Sequence, residues 1–281
     1  MNKISFSKMH GLGNNYIYLN CLDWFPDDPA ALSRAVSQVN TGIGSDGLIL
    51  ICRSEIADFA MRMYNADGSE AEMCGNGVRC VAKYVYEKKL TELTTIRLET
   101  KAGIKVLELD LQDNLVSTVK VDMGEPILSG LAIPTTFDME QVVNVSHEIS
   151  GQQYQLTCVS MGNPHAVIFV PKITDDHIHV IGKALEKDSI FPNAANIEFV
   201  EVINRGHLKM RVWERGSGET QACGTGACAV LVAAVLNELA DRKATISLLG
   251  GDLEIEWAEN NHIFKTGTAQ FICDGEYINN G

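Results

Sequence analysis

The chain has 281 residues, of which 46% are hydrophobic and 21% charged, and its formal net charge is −13. These values indicate a globular protein long enough for two domains, and they exclude a disordered or fibrous chain. The negative charge argues against nucleic acid or an anionic membrane as a partner, because phosphate groups bind basic surfaces.

The sequence carries no pattern of a targeting signal or a membrane span. Residues 1–5 lack the apolar core of a signal peptide, and the longest apolar run, at 227–236, is too short to cross a bilayer. We therefore expect a cytoplasmic protein whose eight cysteines are reduced. None of them forms a Cys-x-x-Cys pair, and no cysteine–histidine spacing predicts a zinc site.

In the first half, alternating apolar residues predict strands, and apolar residues with a period near 3.6 predict helices. The strands are predicted at 4–9, 16–20, 48–52, 58–64, 95–100, 103–111 and 115–122. Helices are predicted at 29–39, with proline in the first turn, and from 75 to about 88, after the loop that leads to Cys74. Residues 124–151 show few periodic features and are expected to cross between domains.

The second half repeats this order. Its strands are predicted at 154–160, 166–170, 196–202, 208–213, 252–257 and 262–270, with a helical stretch near 181–186. A further helix begins at Cys223 and is apolar nearly all round from 227 to 236, so it should be buried on most sides.

The same short motifs recur at a constant separation. Residues 74–77 read Cys-Gly-Asn-Gly and residues 223–226 read Cys-Gly-Thr-Gly, so positions 74 and 223 differ by 149. The same separation relates Gly13-Asn14 to Gly162-Asn163, Met61-Arg62 to Met210-Arg211, Tyr64 to Trp213, and Glu70 to Glu219. Chance rarely keeps one spacing through several motifs, and we infer an internal duplication.

The duplication predicts an α/β (α+β) fold of two pseudo-symmetric domains, each a central helix wrapped by mostly antiparallel strands. We place the N-terminal half-site domain at 1–122, completed by the C-terminal tail at 271–281, and the C-terminal half-site domain at 123–270. The active site is expected in the cleft between the two domains.

Each half places a cysteine before Gly-x-Gly at the start of its helix. The helix dipole should lower the thiol pKa from its reference value of about 8.5, and the first-turn N–H groups can bind a carboxylate. Two opposed cysteines supply a base on each face of one carbon, which inversion of a stereocentre through a planar carbanion requires. The alternative, turn glycines with two buried structural cysteines, does not explain why the motif recurs at both helix starts.

The chain resembles the diaminopimelate epimerase family in five motifs spread over its length. They are Met-His-Gly-Leu-Gly-Asn at 9–14, Asn-Ala-Asp-Gly-Ser-Glu at 65–70, Cys-Gly-Asn-Gly-Val-Arg-Cys at 74–80, Met-Gly-Asn-Pro-His at 161–165 and Glu-Arg-Gly-Ser-Gly-Glu-Thr-Gln-Ala-Cys-Gly at 214–224. The resemblance implies interconversion of LL- and meso-diaminopimelate for lysine and peptidoglycan synthesis, with no pyridoxal phosphate and no metal. The expected partner is this small-molecule substrate, and a homodimer is one option for the assembly.

The resemblance also assigns roles residue by residue. Cys74 and Cys223 match the two catalytic bases, and His165 matches an auxiliary catalytic position. Glu214 is assigned to both catalysis and substrate binding. The other substrate-binding positions are matched by Asn14, Asn65, Gly75, Asn76, Asn163, Asn196, Arg215, Gly224 and Thr225.

Two positions depart from the family pattern, since many members have Asp where this chain has Asn15, and some have Gln where it has Gly47. The missing side chain at position 47 leaves fewer bonds to a substrate. Beside the epimerase, three other functions stay open: a racemase of another small amino acid, a cysteine hydrolase or acyltransferase, and a redox sensor. A hydrolase predicts one essential cysteine paired with a histidine, and a sensor predicts a reversible disulfide without turnover. The several polar site residues favour a substrate with a second amino acid centre, such as diaminopimelate.

Overall fold

The computed structural model describes residues 2–71 and 75–279, so Cys74 lies outside the described residues. Within this part the chain forms a mixed α/β structure rich in strands, which confirms the predicted fold class. The strands are β1 Asn2–Gly11, β2 Asn14–Cys21, β3 Gly47–Cys52, β4 Phe59–Asn65, β5 Glu70–Ala71, β6 Thr95–Thr100, β7 Gly103–Gln112, β8 Leu115–Asp122, β9 Val142–Ile149, β10 Gln152–Ser160, β11 Pro164–Phe169, β12 Asn196–Asn204, β13 His207–Glu214, β14 Gly218–Glu219, β15 Lys243–Leu248, β16 Gly251–Trp257, β17 Ile263–Gly267 and β18 Gln270–Asn279. The helices are α1 Pro29–Ser37, α2 Gly75–Glu87, α3 Lys183–Leu185 and α4 Gly224–Leu236, and a π-helical turn, His177–Gly182, leads into α3.

The chain divides into two compact units. The first consists of Met1–Val121 and Gly267–Gly281, and the second of Asp122–Thr266. In the first unit, β18 pairs antiparallel with β1, so the C-terminal strand completes the sheet that the N-terminal strand begins. None of the helices in the described part of the chain is long and apolar enough to cross a membrane.

Strand pairing repeats between the two units in the same register. β2 runs parallel to β3 with Ile17 opposite Leu48, and β11 runs parallel to β12 with Ala166 opposite Ile197. Ile17 corresponds to Ala166 and Leu48 to Ile197, and each of these two pairs differs by 149 positions, the separation that relates the sequence motifs. The duplication predicted from the sequence is therefore a duplication of three-dimensional structure.

The helices and one ion pair repeat in the same way. α2 and α4 each have 13 residues, and they begin at positions 75 and 224. Arg62 Nε lies 2.5 Å from a Glu70 carboxylate oxygen, and Arg211 Nε lies 2.7 Å from that of Glu219. Each ion pair joins a long strand to the short strand that follows it along the chain, β4 to β5 and β13 to β14.

Each unit is built around its longer helix. α2 contacts β1, β2 and β7, and four apolar residues with helical spacing on one of its faces are buried: Val78, Val81, Ala82 and Val85. α4 contacts β10, β11, β12, β13, β15 and β16, and its residues from 226 to 234 are all buried. A helix surrounded in this way has no polar face, which explains the continuous apolar run in the sequence.

The strands under these helices are also covered on their second face. In the second unit, Ile197 and Phe199 pack in a core with Ile178 and Leu185, which belong to the π-helical turn and α3. Because side chains alternate across a strand, the residue between them, Glu198, points to the opposite face, where α4 begins. A charged residue is thus placed inside a strand that is buried on both sides.

Some predicted elements differ from the structure. α1 ends at Ser37 rather than at 39, since Gln38 is extended. The predicted crossing at 124–151 contains β9, whose alternating burial gives only a weak apolar signal. β15 was not predicted; it contributes only Ala244 and Ile246 to the core, too few for a clear pattern. The helical stretch predicted near 181–186 begins earlier, at the π-helical turn.

Candidate active site

Cys223 occupies the N-cap position of α4 in the second unit. Its backbone is extended (φ −105°, ψ 106°), and its Sγ accepts a hydrogen bond from the backbone N–H of Gly226 at 3.3 Å. Sγ also lies 3.6 Å from the hydroxyl oxygen of Thr225. The side chain is only 4% exposed, so the thiol is held at the helix start and sheltered from water.

Gly226 allows a close approach at this helix start. A Cβ added at Gly226 would lie 2.7 Å from Glu198 Oε1 and 3.1 Å from the sulfur of Cys223. Since both atoms would be closer than normal contact distance, glycine is required for the thiol and the carboxylate to occupy these positions. The second glycine of the repeated motif is explained here by packing.

Two carboxylates act on the thiol of Cys223. Burial raises the pKa of Cys223 well above its usual range, and the negative charges of Glu214 and Glu198 raise it further. Hydrogen bonds from Thr225 and from the N–H of Gly226 oppose this shift. The sequence-based expectation of a lowered pKa is therefore wrong for Cys223, because burial and like charge outweigh the helix dipole.

Glu214 ends β13 and accepts a hydrogen bond from the hydroxyl of Thr220. Burial raises the pKa of this carboxyl, the hydrogen bond from Thr220 lowers it, and the charge of Glu198 raises it. A hydrogen bond with Cys223 is among the interactions that favour the carboxylate. A carboxylate of raised basicity thus lies in direct contact with the thiol.

His165 lies on β11, next to Glu198 on β12, and both side chains are fully buried. Nδ1 of His165 is 2.6 Å from Oε1 of Glu198, and Nε2 is 3.1 Å from Oδ1 of Asn163. One ring nitrogen of His165, one carboxylate oxygen of Glu198 and Sγ of Cys223, the atoms that could bind a metal ion, all lie within 4.8 Å of one another. A separation of 2.6 Å is that of a direct hydrogen bond rather than of two ligands sharing a metal ion, which favours proton transfer for this group.

Amide side chains tie the surrounding loops together. Asn163 Nδ2 donates to the hydroxyl of Thr225 at 3.3 Å. Asn196 is buried; its Nδ2 donates to the Pro164 carbonyl at 3.1 Å, and its Oδ1 accepts the backbone N–H of Arg215 at 2.9 Å. The guanidinium of Arg215 donates to a backbone carbonyl at 3.1 Å and is otherwise exposed on its loop.

The second unit therefore collects the site residues that the sequence assigned to this half: His165, Asn163, Asn196, Glu214, Arg215, Cys223, Gly224 and Thr225. Gly224 lies against Lys265, since an added Cβ would be 2.6 Å from Nζ of this fully buried lysine. Sequence reasoning missed Lys265 and Glu198. The signal available for Glu198 was a single charged residue within a short apolar strand.

In the first unit, Asn14 lies at the start of β2 and is tied to Asp46. Oδ2 of Asp46 accepts from Asn14 Nδ2 at 3.0 Å, and from the backbone N–H and the Nδ2 of Asn15 at 2.7 and 3.2 Å. Asp46 is a further residue that the sequence analysis did not single out. Because the side chain of Asn15 donates to this carboxylate, an Asp at position 15 would place two like charges together.

The start of α2 contains a buried arginine. Arg79 is fully buried and donates to the Gly75 carbonyl and to Oδ1 of Asn76, both at 3.0 Å. A Cβ added at Gly11 would lie 3.0 Å from a guanidinium nitrogen of Arg79 and 3.1 Å from Cβ of Asn76, so the glycine-rich turn packs directly on this helix start. Gly75 and Asn76 are thus positioned by Arg79 from within the first unit.

Two further candidate positions belong to turns of the first unit. Asn65 Nδ2 donates to the hydroxyl of Ser69 at 3.0 Å, which closes the turn before the cysteine loop. Gly47 has a φ of +158°, and a Cβ there would lie 2.2 Å from the Tyr64 carbonyl oxygen. The backbone therefore leaves no room for a side chain at position 47, where some family members have Gln.

Comparison with known proteins identifies the family. The family model described as diaminopimelate epimerase matches residues 6–129 and 157–272. A diaminopimelate epimerase of Acetivibrio thermocellus is 57% identical over 96% of this chain and 97% of its own length. That of Methanococcus maripaludis is 53% identical over 97% and 99%, and that of Bacillus cereus is 48% identical over 99% and 98%.

Solved structures of lower identity share the fold. A probable proline racemase of Agrobacterium radiobacter superposes with a TM-score of 0.70 at 14% identity, covering 98% of this chain and 93% of the other. A phenazine biosynthesis protein of the PhzF family from Bacillus anthracis gives 0.69 at 17% identity, covering 99% and 100%. The fold is thus shared with these proteins, and the sequence identity over the full length decides the family. The chain belongs to the diaminopimelate epimerase family.

Proposed function

We propose that the protein interconverts LL- and meso-diaminopimelate by a two-base mechanism that uses no cofactor and no metal. The observation that carries this proposal is the position of Cys223 at the N-terminus of α4, in a motif that the chain repeats at Cys74. Membership of the family supports the same substrate. Each of the two units then acts as a half-site domain that supplies one cysteine.

In this mechanism Cys74 and Cys223 act on opposite faces of one α-carbon. The thiolate of one cysteine removes the α-proton, and the electron pair left on carbon delocalises into the substrate carboxylate. The thiol of the other cysteine then gives its proton to the opposite face. The N–H groups of the first helical turns at Gly75–Asn76 and Gly224–Thr225 stabilise the negative charge on the carboxylate.

Glu214 and His165 serve the proton chemistry of the second unit. Because burial raises the pKa of Glu214, its carboxylate is a stronger base than usual and accepts the thiol proton of Cys223 when a thiolate is needed. His165 is fully buried, with both ring nitrogens at hydrogen-bond distance from polar side chains, and acts as an auxiliary group. The same carboxylate of Glu214 also binds the substrate's ammonium groups.

The remaining polar residues recognise the substrate. Arg215 offers a charged guanidinium on an exposed loop, which suits the carboxylate at the distal end of diaminopimelate. The amide side chains supply neutral hydrogen-bond partners: Asn14, Asn65, Asn163 and Asn196. We place the enzyme in the cytoplasm, with the small-molecule substrate as its partner, and a homodimer is one assembly that this role permits.

The proposal is tested by incubating the purified protein with LL-diaminopimelate, without added cofactor or metal, and separating the stereoisomers by chiral chromatography. Formation of the meso isomer until the two interconvert at equilibrium is the expected result. L-Lysine and L-proline serve as comparison substrates, since each lacks the distal amino acid centre. Turnover of either at the rate of diaminopimelate would replace the proposal with a racemase of broader range.

A further inference from the structure

Glu198 is a buried charged residue that the proposed mechanism does not use. It is fully buried on β12, on the face where α4 begins. Oε1 is 2.6 Å from Nδ1 of His165, and Oε2 has no hydrogen-bond partner within residues 2–71 and 75–279. Burying a carboxylate this deeply costs free energy unless a neighbouring group compensates its charge. The contact of Glu198 with His165 therefore requires an explanation.

We propose that Glu198 is a positioning residue of the epimerase: it accepts a hydrogen bond from Nδ1 of His165, which fixes the tautomer of the ring and leaves Nε2 facing Asn163. The inference rests on the proposed function, because it concerns the same site. Glu198 does not meet the reacting carbon in this account; it acts through the histidine.

The hydrogen bonds around His165 carry the argument. A carboxylate can only accept, so the short contact with Glu198 requires that Nδ1 carry a hydrogen in both the neutral and the cationic ring. Nε2 faces the side-chain amide of Asn163, which can match either state. When the amide oxygen faces the ring, it accepts a hydrogen bond from a protonated Nε2. When the amide is rotated by half a turn, its NH₂ group donates to an unprotonated Nε2, and its oxygen accepts from the hydroxyl of Thr225.

This arrangement fixes the tautomer of the ring. The proton on Nδ1 stays in place, and the Asn163 amide can hydrogen-bond to Nε2 in either of its two orientations. The strand register supports the geometry: β11 and β12 are parallel with His165 opposite Asn196, and Glu198 is two residues further along on the same face. The backbone therefore fixes the carboxylate beside the ring.

The charge of Glu198 also acts within a group of titratable residues at the start of α4. Cys223 is faced by Glu214 from β13, Glu198 from β12 and His165 from β11, while Lys265 of β17 lies beside Gly224. Because Glu214 and Glu198 both lie near the thiol, His165 could donate its ring N–H to either carboxylate if its tautomer were not fixed. Glu198 removes that freedom.

The test is the tautomer of His165, read by ¹⁵N NMR of histidine-labelled protein. The signal is assigned from the spectrum of the His165→Gln variant, and the tautomer is read in the neutral ring. We expect Nδ1 to be protonated and Nε2 bare in the wild type, and a mixture of tautomers in Glu198→Gln, since an amide can accept or donate. A wild-type ring protonated on Nε2 alone would overturn the inference without any variant.

Kinetics provide the second measurement. Glu198→Gln should lower kcat by about tenfold to a hundredfold, the range that loss of an orienting carboxylate behind a histidine costs in metal sites, while KM stays within roughly twofold. Glu201→Gln is the matched control, because Glu201 lies on the same strand. Among the described residues, its carboxylate accepts only the backbone N–H of Ile173, at 2.6 Å. This control should keep both constants and the His165 spectrum.

The two readouts separate the failure of each idea. If the wild type has the expected tautomer but does not convert diaminopimelate, the proposed function fails and the hydrogen-bond assignment stands. If conversion is normal and Glu198→Gln keeps the wild-type kcat, the positioning role is overturned while the function stands.

Discussion

Sγ of Cys223 accepts the backbone N–H of Gly226 at 3.3 Å, which places the thiol where the dipole of α4 favours a negative charge. Burial and the carboxylates of Glu214 and Glu198 act in the opposite direction and raise the thiol pKa. The raised pKa favours the protonated form of Cys223 in the substrate-free protein. A buried thiol of this kind is prepared to act first as the acid, and it becomes the base after it has given its proton away.

The first prediction concerns the two repeated cysteines. Replacing Cys74 or Cys223 by alanine removes the acid or base on one face, so either variant should lose turnover by about 10²–10⁴-fold or more, the range that general acid–base catalysis supplies. The measurement is the rate of LL-to-meso conversion.

Cys80→Ala and Cys228→Ala are the controls for these variants. Both residues are fully buried in α2 and α4, so they test the loss of a thiol inside the same helices. These controls should keep turnover near the wild type. A Cys74 or Cys223 variant that does the same would refute the two-base mechanism.

The second prediction concerns the pH at which Cys223 reacts with iodoacetamide. The negative charge of Glu214 raises the thiol pKa, so Glu214→Gln should lower that pKa and move the midpoint of alkylation to lower pH. The rate is followed for the peptide that contains Cys223, because the chain has other cysteines, including the exposed Cys273. Glu201→Gln, on the neighbouring strand, should leave the midpoint unchanged. A midpoint that moves upward in Glu214→Gln would show that the carboxylate does not act on this thiol as described.

The third prediction concerns recognition of the distal end of the substrate. Arg215→Ala should weaken turnover of diaminopimelate by roughly two orders of magnitude, since a hydrogen bond to a charged group contributes about 1.5–3 kcal/mol. The loop itself should persist, because Asn196 holds the backbone N–H of Arg215 rather than its side chain.

Arg205→Ala is the matched control for Arg215. Arg205 pairs with Asp241 at 2.8 Å on an exposed part of the second unit, and its guanidinium also donates to the carbonyls of Glu238 and Ala240. None of these three residues is a proposed site residue. It should keep turnover of diaminopimelate. Equal losses in the two variants would mean that the effect is one of stability and not of recognition.

The fourth prediction concerns position 47. Gly47→Ala should lower the free energy of unfolding by about 1–3 kcal/mol, as expected for overpacking, because the new Cβ would meet the Tyr64 carbonyl oxygen. Urea unfolding followed by circular dichroism measures the change. Gly206→Ala is the control, since the nearest heavy atom to its added Cβ is 3.6 Å away. A Gly47→Ala variant as stable as this control would show that the strand can shift to admit a side chain.

The features of the fold that repeat could be predicted from the sequence. The starts of α2 and α4 followed from two Cys-Gly-x-Gly motifs at a constant separation, and the buried face of α2 followed from the period of its apolar residues. β9 and β15 could not be predicted, because a strand that buries few apolar side chains leaves little pattern.

The candidate site could be predicted only where a motif marks it. Asn163, Glu214 and Cys223 lie in recognisable motifs, and the structure places them together. Glu198 lies in an apolar strand, where a single charged residue reads as facing water; only the packing on both sides of β12 shows that it is inside. The direction of the Cys223 pKa shift was likewise beyond the sequence, since it depends on burial and on charges brought from other strands.

The two-base mechanism is tested most directly by the first turnovers in D₂O, with LL-diaminopimelate as substrate and no added cofactor. Because one cysteine removes the α-proton and the other delivers a deuteron from solvent, the meso product should carry deuterium at the inverted carbon while recovered substrate carries none. A meso product that retains the substrate's own proton, or substrate that gains deuterium without inversion, would contradict the mechanism.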